Sequence, residues 1–187
     1  MHSHTEQPLR GRRAVVLVGP MFEDVEATYP LYRLREAGAD VTIGGARAGE
    51  IVKGKKGEEL RVDAAASDLT ADEVDILVLP GGYGPDKLRA NEDVLSLVRE
   101  MHRQGKPIAF ICHGGWIPAS AGILPGRRAT SYRSIADDLR NAGAIWEDAE
   151  VVVDGNLVSS RQPDDLPAFM RSLIEICVAG TLAGAAR

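Results

Sequence analysis

Sulfur and aromatic rings are scarce in this chain. Aromatic residues make up 5% of its 187 residues, and there are two cysteines, Cys112 and Cys177. Two lone thiols make no disulfide framework, so the fold must rest on a hydrophobic core and a cytoplasmic location is expected. Histidine is equally sparse. His2 and His4 lie in the leader, His102 and His113 in the interior, and none follows residue 113. No apolar run approaches the ~18 residues of a membrane span. The opening MHSHTEQPLRGRR lacks the apolar core of a secretory signal. Positive charge is also in deficit, with a net charge of −5, which argues against a nucleic-acid surface. Clustered His, Cys and carboxylate ligands at metal spacing are absent from the sequence. Gly44-Gly45-Ala46 is too short for a dinucleotide fingerprint. The expectation is an enzyme without metal or cofactor.

What is present describes one ordinary domain. Hydrophobic residues make up 44% and charged residues 26%, and a chain of this length buries roughly 70% of its unfolded surface. Residues 1–12 are polar and read as a flexible tail, leaving 13–187 as a single domain. Continuous apolar runs at 13–19, 74–79 and 107–111 read as strands buried on both faces of a parallel sheet. Val41–Gly44 reads as a shorter strand. The spacing predicts a helix over 23–37, with Val25, Tyr29, Leu31, Tyr32, Leu34 and Ala37 as its apolar stripe and Gly38 as its stop. Further helices are expected over 85–104 with a break near Asn91, from 114 to about 121, and over 134–142 and 165–179. Residues 45–72 read as a hairpin excursion, and Asp154-Gly155-Asn156 joins two late strands. Strands alternating with helices predict a flavodoxin-like α/β fold: a doubly wound, mostly parallel sheet in a three-layer α/β/α sandwich.

In such a sheet the functional crevice lies beyond the carboxyl ends of the strands. Three loops follow the buried strands there: Gly19–Asp24, Pro80–Asp86 and Cys112–Gly114. Cys112 sits on a strand-to-helix turn, which presents a nucleophile at the top of the sheet. A helix N-terminus there would lower the thiol pKa. His113 is the one imidazole within reach, since His102 ends the helix on the far side of the preceding strand. Glu23 stands at the height of Cys112 as a proton-holding carboxylate with a raised pKa, although Asp24 and Glu26 are close by and position alone does not choose among them. Gly81, Gly82 and the His113 amide offer N–H groups for an oxyanion, and Gly114 permits the tight turn. Asp86 reads as a cap for the next helix. Cys177 falls among apolar residues of the last helix and reads as core.

Taken together, Phe22-Glu-Asp-Val-Glu26, Tyr29-Pro30, Leu79-Pro-Gly-Gly82, Gly105-Lys-Pro107, Ile111-Cys-His-Gly114, Thr130-Ser-Tyr132, Asn141-Ala-Gly143, Glu150–Gly155 and the Ser160–Pro167 segment give the chain a family likeness. It resembles the PfpI-type intracellular proteases, relatives of the Parkinson-associated protein deglycases in the class I glutamine amidotransferase-like superfamily. The resemblance implies Cys112 as nucleophile, His113 as its adjacent histidine and Glu23 as the buried glutamate that hydrogen-bonds the thiol. It further implies that Asp86, supplied across a subunit interface, meets the histidine, and that Tyr132 lines the pocket. Homodimers or dimer-built hexamers with a composite active site follow from the same resemblance. The chain departs from it at Gly115-Trp-Ile-Pro118, where the family usually has proline directly after the glycine.

Three functions are compatible with these residues. The first is a stress-response glyoxalase or protein deglycase, in which Cys112 adds to a dicarbonyl or its adduct and Glu23 or His113 moves the proton. The second is hydrolysis of short peptides by Cys112 and His113, with Asp86 orienting the imidazole. The third is a non-enzymatic redox sensor or chaperone, with Cys112 oxidised to sulfinate beside Glu23. Partners in each case are small molecules, glycated side chains, short peptides or other copies of the chain, with no nucleic acid and no membrane.

Overall fold

The fold is given by a computed structural model that describes residues 7–185, with side chains as far as residue 179. The first half of the chain runs β1 (Arg13–Leu17), α1 (Asp24–Glu36), β2 (Asp40–Gly45), β3 (Ile51–Lys53), β4 (Glu59–Arg61), β5 (Ala64–Ala65) and β6 (Ile76–Leu79). It continues through α2 (Gly84–Leu88), α3 (Glu92–Arg103), β7 (Ile108–Ile111), α4 (Trp116–Ala121), β8 (Arg128–Ala129) and α5 (Ala136–Asn141). The last part holds β9 (Ile145–Trp146), β10 (Val151–Asp154), β11 (Leu157–Ser160) and α6 (Leu166–Ala185).

Seven strands form the central sheet in the order β10-β11-β7-β6-β1-β2-β5. All neighbours are parallel except the β10–β11 hairpin. The central strands are apolar on both faces because each face meets a helical layer. Ala14, Val16 and Val18 pack against Leu31 and Leu34 of α1 and Phe169 and Leu173 of α6. Val15, Leu17, Leu77 and Leu79 pack against Val98 and Met101 of α3 and Ile117 of α4. Each fully buried Val, Leu, Ile, Phe or Met side chain contributes about 1.5–3 kcal/mol of transfer free energy. The registers Val16↔Val78 and Leu79↔Phe110 keep β1, β6 and β7 in step, so their following loops emerge side by side.

The predicted doubly wound sandwich is present, and three local expectations change. The tail expected at 1–12 is only partly described, and residues 1–6, with His2 and His4, lie outside the described residues. Within residues 7–12, Leu9 is fully buried and its N–H donates to Ala37 O at 2.9 Å, while Gln7, Pro8, Arg10 and Gly11 are exposed. On α1 the buried face is Asp24, Glu26, Ala27, Pro30, Leu31 and Leu34, whereas Val25, Tyr29 and Tyr32 point outward. The apolar stripe expected through Val25, Tyr29 and Tyr32 therefore faces away from the sheet. Finally, Ile145–Trp146 pairs with β8 in a separate two-stranded piece, and the late hairpin comprises β10 and β11 alone.

If residues 7–12 are part of the fold, Leu9→Ala should cost about 2–4 kcal/mol, or a melting temperature about 5–15 °C lower. The exposed neighbour Arg10→Ala should change little. Equal melting temperatures for both variants would show that this segment carries no core.

Candidate active site

Three backbone turns build the site. β7 ends at Ile111, and Cys112 takes a left-handed backbone conformation with φ 59°, uncommon for any residue with a Cβ. This bend turns the chain into a 3-10 turn, Cys112–Gly115, and then into α4. It holds the thiol just beyond the carboxyl end of β7, at the turn on which the elbow reading puts it. Gly114 is required there because a Cβ would lie 2.2 Å from Leu79 O. The loop after β6 crosses the loop after β1, with Phe22 and Gly82 in an isolated antiparallel bridge and Tyr83 N–H donating to Met21 O at 2.8 Å. Tyr132 N–H donates to Cys112 O at 3.3 Å, which brings the segment after β8 to the same place.

Cys112 is buried at 8% exposure. Its Sγ lies 3.2 Å from His113 Nδ1. The backbone N–H groups of Gly82 and His113 also face the sulfur and favour its charged form. Of the expected oxyanion donors, Gly81 is engaged elsewhere: its N–H donates to Glu26 Oε2 at 2.9 Å. The acid beside the sulfur is therefore Glu26 and not Glu23. Glu26 is fully buried, and its Oε1 has no hydrogen-bond partner among the described residues. Burial, with the nearby Glu23 charge, raises its carboxyl to about 7 against the pull of the Gly81 N–H. Burial, then the Glu26 charge, pushes the Cys112 thiol up to about 12. The lowered thiol expected from a helix N-terminus is not found, because burial and a neighbouring carboxylate outweigh it. The two groups titrate as a pair, near 7 and near 12.

Glu23 sits at the N-cap of α1 with no capping hydrogen bond. Its carboxylate takes Lys55 Nζ at 2.9 Å and Lys56 Nζ at 3.1 Å. Burial alone would raise its pKa, but the two ammonium groups more than offset that and lower it, the reverse of the expected shift. Asp24 accepts the backbone N–H groups of Lys56 and Glu58 at 2.9 and 2.8 Å. Together these acids pin the β3–β4 turn over the start of α1. A signal for Glu26 was present in the sequence: it lies four residues before Pro30 and eight before Leu34, on the buried face of α1.

His113 packs edge-on against Trp116, with ring centres 5.0 Å apart, and stacks on Tyr132 at 5.3 Å. Burial and then the Lys55 charge lower its pKa, with Asp138 opposing, which favours the neutral ring. Its Nε2 lies 3.2 Å from Ser134 Oγ, a neighbour the sequence reading missed. Asp86 has an exposed side chain with Lys87 Nζ at 4.0 Å, and no hydrogen bond joins it to His113 within the chain. Cys177, on α6, faces the core, with its thiol also pushed up to about 12 by burial. Among the described residues no three His, Cys, Asp or Glu side chains gather as a metal site, and no helix is long and apolar enough to cross a membrane.

Residues 12–176 match the DJ-1/PfpI family. The chain belongs to that family. A deglycase of Pyrococcus abyssi is 49% identical over 164 residues, covering 88% of this chain and 98% of the relative. A protein/nucleic acid deglycase of Escherichia coli is 42% identical, covering 88% of this chain and 97% of the relative. The crystal structure of Drosophila melanogaster DJ-1beta superposes with a TM-score of 0.82 at 31% identity, covering 94% of this chain and 97% of that one.

The coupling of Glu26 to Cys112 can be read directly. Alkylation of Cys112 by iodoacetamide should step up as the pair loses its first proton near pH 7 and then level off. Glu26→Gln should abolish that step, and Glu23→Gln should leave it in place. Retention of the step in Glu26→Gln, with loss in Glu23→Gln, would return the thiol's partner to Glu23.

Proposed function

We propose that this protein is a cofactor-independent thiol enzyme that acts on reactive dicarbonyls, or on their early adducts with amino groups, as a glyoxalase or deglycase. The observation that carries this reading is the buried Glu26 beside Cys112, with a carboxyl raised to about 7. A proton shuttle works best when its pKa lies close to the working pH. The names of the Pyrococcus and Escherichia relatives support the same substrate class.

In this reading Cys112 sulfur attacks the aldehyde carbon of methylglyoxal as its proton passes to Glu26 or His113. The new C–S bond forms as the carbonyl electron pair moves onto oxygen, which faces the Gly82 and His113 N–H groups and is protonated. The same acid/base group then takes the proton from the former aldehyde carbon and returns one to the neighbouring carbon, while the hydroxyl proton on the first carbon passes to the neighbouring carbonyl oxygen. This isomerisation needs no external oxidant, because one carbon is oxidised as the other is reduced. Water cleaves the resulting thioester, releasing lactate and restoring the thiol. With a hemiaminal adduct the departing group is the amine. A stress-response role, through repair of dicarbonyl damage, and a cytoplasmic site of action belong to this proposal. So does self-association through the exposed Val25, Tyr29 and Tyr32 on α1.

The 3.2 Å Cys112–His113 contact favours peptide hydrolysis as a second reading, since adjacent residues on one turn do come into bonding range here.

Methylglyoxal supplied without glutathione or metal should yield lactate with wild-type protein and none with Cys112→Ala. Glu26→Gln should lower the rate by about 10²-fold or more, within the range of acid–base catalysis. Folded wild type that forms no lactate from methylglyoxal, and releases no amine from its adducts, would overturn the dicarbonyl reading. Cleavage of short peptides by the same sample would then select the second.

A further inference from the structure

The outer face of His113 carries a partner that no role yet described uses. Ser134 lies in the 3-10 turn Arg133–Ile135, and its Oγ is 3.2 Å from His113 Nε2. On the opposite side of the ring, Nδ1 is 3.2 Å from the Cys112 sulfur. A neutral imidazole has one N–H donor and one bare nitrogen acceptor, and the partner of one nitrogen sets the state of the other. We infer that Ser134 is a positioning residue for His113: its hydroxyl oxygen accepts the Nε2–H of the imidazole and so leaves Nδ1 bare, facing the Cys112 thiol as a proton acceptor. The inference rests on the proposed thiol chemistry and adds to it the residue that selects the working tautomer.

The surroundings support the assignment. Ser134 is an exposed residue, so its hydroxyl proton can go to water and need not be donated to Nε2. The ring plane is held by Tyr132 on one face and by the Trp116 edge. Trp116 is itself fixed by its indole N–H, which donates to Asp138 Oδ2 at 2.8 Å. The segment that carries Ser134 is tied to the nucleophile, since Tyr132 N–H donates to Cys112 O and Ile135 N–H to Tyr132 O. Residues 132–134 therefore hold the elbow backbone, the face of the imidazole and its outer nitrogen together. The charged groups acting on this ring are Lys55 and Asp138. The alternative orienting group is Asp86 of a second copy, whose carboxylate would compete for the same Nε2–H.

Nitrogen NMR of the His113 ring, identified by its loss in His113→Gln, separates these possibilities. Wild type should show the Nε2–H tautomer, and Ser134→Ala should shift His113 toward a mixture containing Nδ1–H. Ser134→Thr, which keeps the hydroxyl, should restore the wild-type form. The kcat for lactate formation should fall roughly three- to ten-fold in Ser134→Ala, the worth of one orienting hydrogen bond, with KM little changed. An unchanged tautomer in Ser134→Ala, or a shift in Asp86→Ala instead, would overturn the inference. Wild type that forms no lactate yet shows the Ser134-dependent tautomer would remove the dicarbonyl reading and leave the positioning role standing.

Discussion

The site depends on one close approach. The backbone of Gly81 passes between Glu26 and Cys112 so tightly that a Cβ there would lie 2.5 Å from Glu26 Oε2 and 2.7 Å from Cys112 Cβ. The absence of a side chain lets three corners of the sheet meet: the start of α1, the end of β6 and the end of β7. The same backbone supplies its N–H to Glu26. With water excluded, the carboxyl and the thiol are both harder to ionise, and neither can lose its proton without affecting the other. The contact that brings the two groups together thus also sets their acidity.

Three neighbouring acids at the start of α1 do different work because the helix turns them in different directions. Glu23, before the first helical residue, faces the β3–β4 turn and is neutralised by Lys55 and Lys56. Asp24 takes backbone N–H groups from the same turn. Gly54 allows this approach, since a Cβ there would lie 2.7 Å from the Asp24 carboxylate. Glu26 alone faces the sulfur. Lys55 links the groups, because its charge lies close enough to lower the pKa of both Glu26 and His113. The hairpin therefore contributes a cation to the site's electrostatics as well as covering the start of α1.

Much of this was legible from the residues. Unbroken apolar runs located the central strands, since only a strand covered on both faces tolerates them. The position of Cys112 directly after one such run located the elbow. The choice among Glu23, Asp24 and Glu26 was not legible from their closeness to the first strand, because their directions depend on where α1 begins. The stripe through Val25, Tyr29 and Tyr32 misled for a related reason: an exposed apolar face has the same spacing as a buried one. Burial of Leu9 could not be foreseen from a polar segment that carries a single leucine. Ser134 gave no signal, since its partner lies 21 residues away and is brought close only by the turn after Tyr132.

The electrostatics also weigh the two enzymatic readings against each other. A thiol pushed to about 12 is a poor nucleophile at rest, so its proton must leave as the attack occurs. Glu26 and His113 can both receive it, but they differ in what they can return. Peptide hydrolysis requires a group that protonates a departing amine. His113 suits that step poorly, because burial and Lys55 disfavour its charged form, so protonation of a departing amine, from a peptide or from a glycated adduct, falls to Glu26. Isomerisation of a dicarbonyl requires a group that takes a proton from one carbon and gives one to the next at nearly constant driving force. A carboxyl that titrates near 7 meets that requirement in both directions. Proton transfer between carbons is therefore the chemistry to which this pair is better matched than cleavage of an amide.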